Sequence, residues 1–192
     1  NQNNNKTAPG LLKYLIKHGH WSPFEMVSLT LEIETTRDIS HQIVRHRSFS
    51  FQEFSQRYAE ANTYEIREAR MQDPKNRQNS IELDRRNMED VRLGEKFNMA
   101  QHKVIQLTRE VYECALENGI AKEQARAVLP EGMTGTTLYM AGTLRSWIHY
   151  CRLRMANGTQ LEHAEIAKRC WDIIGGHFPS VREAVDALDV ID

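Results

Sequence analysis

Long apolar runs are missing from this sequence of 192 residues. None approaches the roughly 20 residues that a membrane-spanning helix requires, and no signal-peptide pattern opens it; no membrane partner is expected. Cysteine is scarce. Cys114, Cys151 and Cys170 are odd in number, far apart and without a C-x-x-C pair, which argues against a disulfide framework and for a reducing, cytoplasmic compartment. Charge of one sign is lacking too: 25 Lys and Arg against 26 Asp and Glu give a net charge of -1. This balance argues against a dedicated polyanion binder, no nucleic-acid partner is expected, and nucleotide recognition must come from local charge. No G-x-G-x-x-G or Walker loop is present, which removes Rossmann and P-loop nucleotide binding. Nor is there a G-x-S-x-G elbow. Eight histidines invite a metal, but His18 with His20 and His41 with His46 lack the H-E-x-x-H pattern, so no metal site is expected.

What is there suits one globular core spanning 1–192, with 40% apolar and 27% charged residues. Residues 1–6 are expected to be disordered. The first residue is not Met, so N-terminal sequence is expected to be missing. A short helix runs from Pro9 through Ile16 to the Gly19 breaker. Residues 26–34 alternate strictly, with Val27, Leu29, Leu31 and Ile33 on one side, the period of a half-buried strand. Thr36 then caps a helix carried to Arg47. Arg57-Tyr58 begins an edge strand, and residues 67–80 form a loop or insertion. One long helix is expected over 81–116, with Phe97, Val104, Leu107, Val111 and Leu116 as apolar positions and Gly119 as its stop. A short helix over 122–128, a strand over 132–139, helices over 141–154 and 161–174, and a last helix capped by Ser180 complete the reading. Helices dominate with a small antiparallel or mixed sheet: α+β.

Several residues have no simple place in such a core. Arg45, His46 and Arg47 at a helix C-terminus complement its dipole; they also suit phosphate, because Arg offers bidentate donors. The segment from Phe49 to Tyr58 mixes rings with Glu53, Ser55, Gln56 and Arg57. It reads either as an aromatic structural loop or as a surface that stacks a heterocycle and bonds its polar edge. Arg154 follows Trp147 and Tyr150 at spacings of seven and four, so a charge lies on an apolar helical stripe and must meet a partner or a ligand. Arg145 and His149, four apart, occupy another face and suit a second ligand group or a salt bridge. Arg126 is a third candidate. Ser55 has no evident base, which weakens a serine nucleophile.

Arg45-His46-Arg47, a seven-residue gap, then Ser55 with Arg57-Tyr58 resembles the signature of the flavin-dependent thymidylate synthases. The resemblance runs from His18-Gly19-His20 and Pro23-Phe24-Glu25, through the signature, to Glu123-Gln124-Ala125-Arg126 with Leu129-Pro130. It continues into Arg145-Ser146, Leu153-Arg154 and His163. It implies that family's fold over 1–192 and reductive methylation of dUMP to dTMP. Methylenetetrahydrofolate is the implied carbon donor, FAD the hydride carrier and NADPH its reductant. It also implies a homotetramer with active sites at subunit interfaces. Carried over by position, Arg45, His46 and Arg47 hold FAD, with Ser22, Glu53, Thr143, Arg145, His149 and His163 as further flavin contacts. Gln42, Arg45, Glu53, Phe54 and Ser55 meet dUMP, as do Gln56, Arg57, Arg126 and Arg154. His20 lies on the folate side.

This sequence departs from the family pattern in places. Thr143 stands where Asn is common, His149 where some members have Asn, Gln56 where Gly is frequent, and the stretch 155–162 is longer than in many members. The implied chemistry puts the burden on Arg154, which stabilises an N3-deprotonated uracil and so activates C5; Ser55 becomes a ligand contact. Two other readings compete. One is a non-catalytic nucleotide or single-stranded nucleic-acid-binding module built on the Arg/aromatic segment. The other is a flavoprotein of the same fold with a different electron acceptor.

Overall fold

The computed structural model describes residues 5–189. The disorder expected for residues 1–6 lies partly outside that range; within it, Asn5–Thr7 form a 3-10 turn. That turn leads into α1 (Ala8–Lys17), where Pro9 pre-sets the first helical φ. Gly19, at φ 70, ends α1 in the left-handed region open to glycine. A single-turn helix that the sequence did not announce follows, α2 (Ser22–Glu25).

Strand β1 (Ser28–Thr36) is built as its alternation requires. It pairs antiparallel along its whole length with the central strand β5 (Gly135–Thr143), and β2 (Ser50–Glu53) pairs antiparallel with the other edge of β5. β5 outlasts the expected 132–139 strand, because Met140, Ala141 and Gly142 continue the ladder opposite Leu31, Thr30 and Leu29. α6 (Leu144–Met155) therefore begins three residues later than expected, where the Thr143 hydroxyl accepts the Ser146 N–H at 3.3 Å as its cap.

Helix α3 (Arg37–Ile43) stops four residues short of Arg47. After Ile43 the bonding tightens to three-residue steps, Arg45 N–H to Gln42 O and His46 N–H to Ile43 O, which close the helix. Arg57-Tyr58 is no strand: the Tyr58 and Ala59 N–H groups both donate to Ser55 O in one helical turn. The expected loop holds a hairpin, β3 (Arg70–Gln72) with β4 (Ser80–Glu82). The Asp73 carboxylate braces its turn by accepting the Lys75 and Asn76 N–H groups.

The long helix α4 (Met88–Glu117) starts seven residues later than expected, where the Asn87 side chain accepts the Glu89 N–H. It ends before Gly119, at φ 79. Its phase is the reverse of the expected one. Gln101, Ile105, Thr108 and Tyr112 face the body, while Phe97, Val104, Leu107 and Val111 are exposed. α5 (Lys122–Ala125) passes into a 3-10 turn at Arg126–Val128. α7 (Leu161–His177) and α8 (Pro179–Asp189) follow, with Pro179 and not Ser180 opening the last helix. The core centres on α6, whose Trp147, Ile148, Tyr150 and Cys151 are buried against Leu138 and Met140 of β5, Ile39 and Ile43 of α3, and Cys170, Trp171 and Ile174 of α7. The architecture is α+β, mainly helical, with antiparallel sheets. No helix among the described residues is long and apolar enough to cross a membrane.

Candidate active site

Because α3 closes at Ile43, Gln42 stays on the helix while Arg45, His46 and Arg47 leave it in a turn. The His46 ring meets the edge of Tyr150, centroids 4.9 Å apart at 89°. Its Nε2 accepts the Arg154 Nε–H at 2.8 Å. A ring nitrogen that accepts from a guanidinium carries no proton, so this bond fixes His46 as the neutral Nδ1–H tautomer. Burial, and then the charge of Arg154, hold its pKa below the ordinary histidine value and favour the same form.

His163 is wholly buried beside it. Its Nδ1 lies 3.3 Å from Gln42 Oε1 and its Nε2 lies 3.1 Å from the Tyr150 hydroxyl. The Gln42 amide nitrogen donates to Gln160 Oε1 at 2.7 Å, so the Gln42 oxygen is left to accept from His163 Nδ1–H. The Tyr150 hydroxyl then donates to Nε2. Gln160 passes the direction on to Glu162 at 2.9 Å. Glu162 ends the chain in an ion pair with Arg67 at 3.0 Å, and Arg67 also holds Asp38 at 2.8 Å. Tyr150 opens the relay as a donor, His163, Gln42 and Gln160 each accept one bond and donate one, and the Glu162 carboxylate closes it as an acceptor, which orders the set as a unit. Burial first, then Arg154 and His46, push the His163 pKa down to about 4.

A cleft of about 420 Å³ opens here, lined by Asp38, His41, Gln42, Arg45, Glu131 and Arg154. Its acidic wall is partly engaged, since Glu131 pairs with His41. Arg45 and Arg154 bring two guanidinium groups to one space, an arrangement suited to an anionic or electron-rich planar ligand.

The loop after β2 lines a different cleft. Phe54, Ser55 and Gln56, with Gly135, Thr136 and Thr137 of β5, border about 410 Å³. Glu53 is anchored by Thr136 Oγ1 at 2.8 Å and by Arg37 at 3.3 Å. The Ser55 hydroxyl accepts the Arg57 N–H at 3.3 Å and has no side-chain base as partner among the described residues. Arg57 pairs with Glu123 at 3.1 Å, both half-exposed. Arg126 sits half-buried in its 3-10 turn.

A third group gathers where α2 meets α6. Ser22 opens α2, Arg145 pairs with Glu25, and the His149 ring tilts against Trp21 with centroids 4.3 Å apart. Burial, then Arg145 and Arg152, lower the His149 pKa. His20 is exposed, its ring 6.4 Å from that of Tyr14. Thr143 is occupied as the cap of α6, and Arg47 is exposed. One chain thus joins Gln42, Arg45, His46, Arg154 and His163. It keeps apart from them both the loop of Phe54, Ser55, Gln56 and Arg57 and the group of Ser22, Arg145 and His149.

Gln160, Arg67, Asp38 and Glu162 join the site without any signal in the sequence, and Tyr150 is marked there only as a neighbour of Arg154 on a helical stripe. That spacing of four was the available signal for Tyr150. The others come from segments remote in sequence, and nothing local marks them.

The model of the thymidylate synthase complementing protein family matches residues 1–180. A probable flavin-dependent thymidylate synthase of Paramecium bursaria Chlorella virus 1 is 52% identical over 187 residues, covering 97% of this chain and 84% of that protein. The flavin-dependent thymidylate synthase of a Synechocystis species is 53% identical over 176 residues, covering 92% and 79%. The fold is similar to that of the UMP/dUMP methylase PolB of Streptomyces cacaoi, solved with 5-Br UMP. The TM-score is 0.80 at 26% identity, over 96% of this chain and 84% of that one.

Proposed function

Since the chain belongs to the thymidylate synthase complementing protein family, the flavin-dependent thymidylate synthases, we propose that it makes dTMP by reductive methylation of dUMP. In this reading methylenetetrahydrofolate gives the carbon and NADPH reduces the bound FAD. One observation carries it: Arg154 is held at 2.8 Å by a neutral His46 while its side chain lines the cleft shared with Gln42 and Arg45.

Uracil C5 is a weak nucleophile until electron density rises on the ring. A fixed guanidinium beside the pyrimidine stabilises its N3-deprotonated form and so activates C5, without reorganisation at the moment of reaction. His46 orients Arg154 and stays uncharged, so it adds no competing positive charge. The Gln42 amide, set by His163 and Gln160, meets the uracil edge. Arg57 and Arg126 suit the dUMP phosphate, with Glu53, Phe54, Ser55 and Gln56 along the ligand. Ser55 is a contact and not a nucleophile.

The side chains present fit a flavin dinucleotide. The exposed guanidinium groups of Arg45 and Arg47 match pyrophosphate, and the Trp21–His149 rings with Arg145 offer a surface for a planar system. Ser22, Glu53, Thr143 and His163 complete that set, and His20 takes the folate side. Bound FAD supplies the hydride that completes the methyl group. We place this single domain in a homotetramer with sites at subunit interfaces, in the cytoplasm, where the free Cys114, Cys151 and Cys170 suit a reducing environment.

The test is turnover with dUMP, methylenetetrahydrofolate and NADPH, with and without added FAD. The expected result is dTMP formation that depends on FAD, by a yellow protein that bleaches with NADPH. A colourless protein that cannot be reconstituted, or one that prefers an oligonucleotide to dUMP, would overturn the assignment.

A further inference from the structure

We propose that helix α4 is a self-pairing surface, joining α4 of a second copy of this chain antiparallel, with Val104 opposite the partner's Leu107. The proposal rests on the self-association offered above and gives it a surface, a direction and a register.

α4 is fastened to its own body by one narrow face. Gln101 exchanges two hydrogen bonds with the Arg67 backbone, at 2.8 and 2.9 Å, and the Tyr112 hydroxyl accepts the Ala61 N–H at 3.4 Å. Ile105 and Thr108 fill the space between. The adjoining face carries Leu93, Phe97, Ala100, Val104, Leu107 and Val111, all exposed: 46% for Leu93, 44% for Phe97, 43% for Val104, 62% for Leu107 and 43% for Val111. Their steps are four, three, four, three and four, and Cys114, also exposed, adds another three. This is the 3.5-residue period of a supercoiling seam. It runs about 27 Å along the helix at 1.5 Å per residue. Single exposed apolar residues are ordinary, but a continuous seam of them marks an interface.

Charge gives the direction. Along one flank, at seven-residue intervals, stand Lys96, Lys103, Glu110 and Glu117, all exposed. Glu110 also accepts from Gln106 at 3.0 Å. The other flank is Gln101 and Thr108, already buried in the chain's own body. A parallel pair would set the charged flank against that buried flank. An antiparallel pair sets the charged flank against itself, reversed. With Val104 opposite the partner's Leu107, Lys103 meets the partner's Glu110 and Lys96 meets the partner's Glu117. The same register puts Phe97 opposite the partner's Cys114 and Ala100 opposite the partner's Val111, large side chains against small ones. Hydrophobic periodicity and charge order are independent features of the sequence, and one two-fold axis satisfies both.

The test uses the whole protein carrying Cys114→Ser to remove the exposed thiol. Lys103→Cys with Glu110→Cys is expected to form an intersubunit disulfide on mild oxidation, and either single substitution is not. The two sites lie about 10 Å apart on one helix, too far for an internal bridge. Independently, Lys103→Glu is expected to weaken association by about tenfold in low salt, read by sedimentation equilibrium, and Lys103→Glu with Glu110→Lys to restore it. Circular dichroism checks that each variant is folded. Self-crosslinking of Lys103→Cys alone would overturn the antiparallel register. Association that ignores both the cysteine pair and the charge swap would overturn α4 as the surface and leave the dUMP chemistry standing. A folded wild-type chain that stays monomeric would overturn this inference and the tetramer together, while the turnover assay judges the chemistry separately.

Discussion

An arginine whose Nε is tied to an imidazole at 2.8 Å keeps its two terminal nitrogens for a ligand and loses much of its rotational freedom. The role we propose for Arg154, to face a developing negative charge, depends on that fixity. We therefore expect Arg154→Ala to lower dTMP formation by about 10² to 10³ in kcat, and Ser55→Ala by less than about tenfold. The reverse order in steady-state assays would restore a serine nucleophile. The two histidines add a pH signature. The unfolded chain takes up a proton on His163 below its ordinary 6.5, while the folded chain refuses it down to about 4. Stability from this group is thus complete above 6.5 and drains away as pH falls from 6.5 toward 4, by on the order of 3 kcal/mol. His46, lowered in the same sense, acts in the same direction. Urea titrations at a series of pH values should show this slope in the wild type and a shallower one in His163→Gln; identical slopes would refute it.

Elements show what a sequence can announce. β1 was legible because one face meets the core and the other does not, so Leu29, Leu31 and Ile33 had to alternate with polar residues. β5 was legible only in part. It lies between two strands, its run Leu138-Tyr139-Met140 does not alternate with polar residues, and Ala141 and Gly142 are small, so its last residues read as the start of a helix. Gly142 shows the reason for that composition: a Cβ there would overlap the ring of Phe49, which itself packs against Trp147 at a centroid distance of 4.9 Å. Gly142→Ala should cost about 1–3 kcal/mol by displacing that ring from the core, read as a lower melting temperature. An unchanged melt would mean that Phe49 has room to move. In α4 the period was readable and the direction of the apolar face was not, since a helical stripe does not say whether it covers its own body or another chain. The Arg45-His46-Arg47 triplet could be found as a motif. The Gln42–His163–Tyr150 chain could not, because its members come from α3, α7 and α6 and only the fold brings them together.

At the scale of the whole molecule, the residues assigned to dUMP do not converge within one chain. Gln42, Arg45 and Arg154 border one cleft, whereas Phe54, Ser55 and Gln56 border another, with Arg57 turned to Glu123. In the tetramer proposed above, a nucleotide that touches both sets has the loop of one subunit laid against the cleft of another, the arrangement expected of sites at subunit interfaces. This makes a prediction that no monomeric site shares. Arg154→Ala and Arg57→Ala should each be nearly inactive alone. Mixed, dissociated and reassembled in equal amounts, they should recover about a quarter of wild-type activity, because random assembly pairs an intact cleft with an intact loop in roughly one site of four. Activity measured before and after subunit exchange checks it. Two mutants that exchange subunits and stay dead would place Arg154 and Arg57 on the same chain's site, and the gap between the two clefts would then have to close within a single subunit.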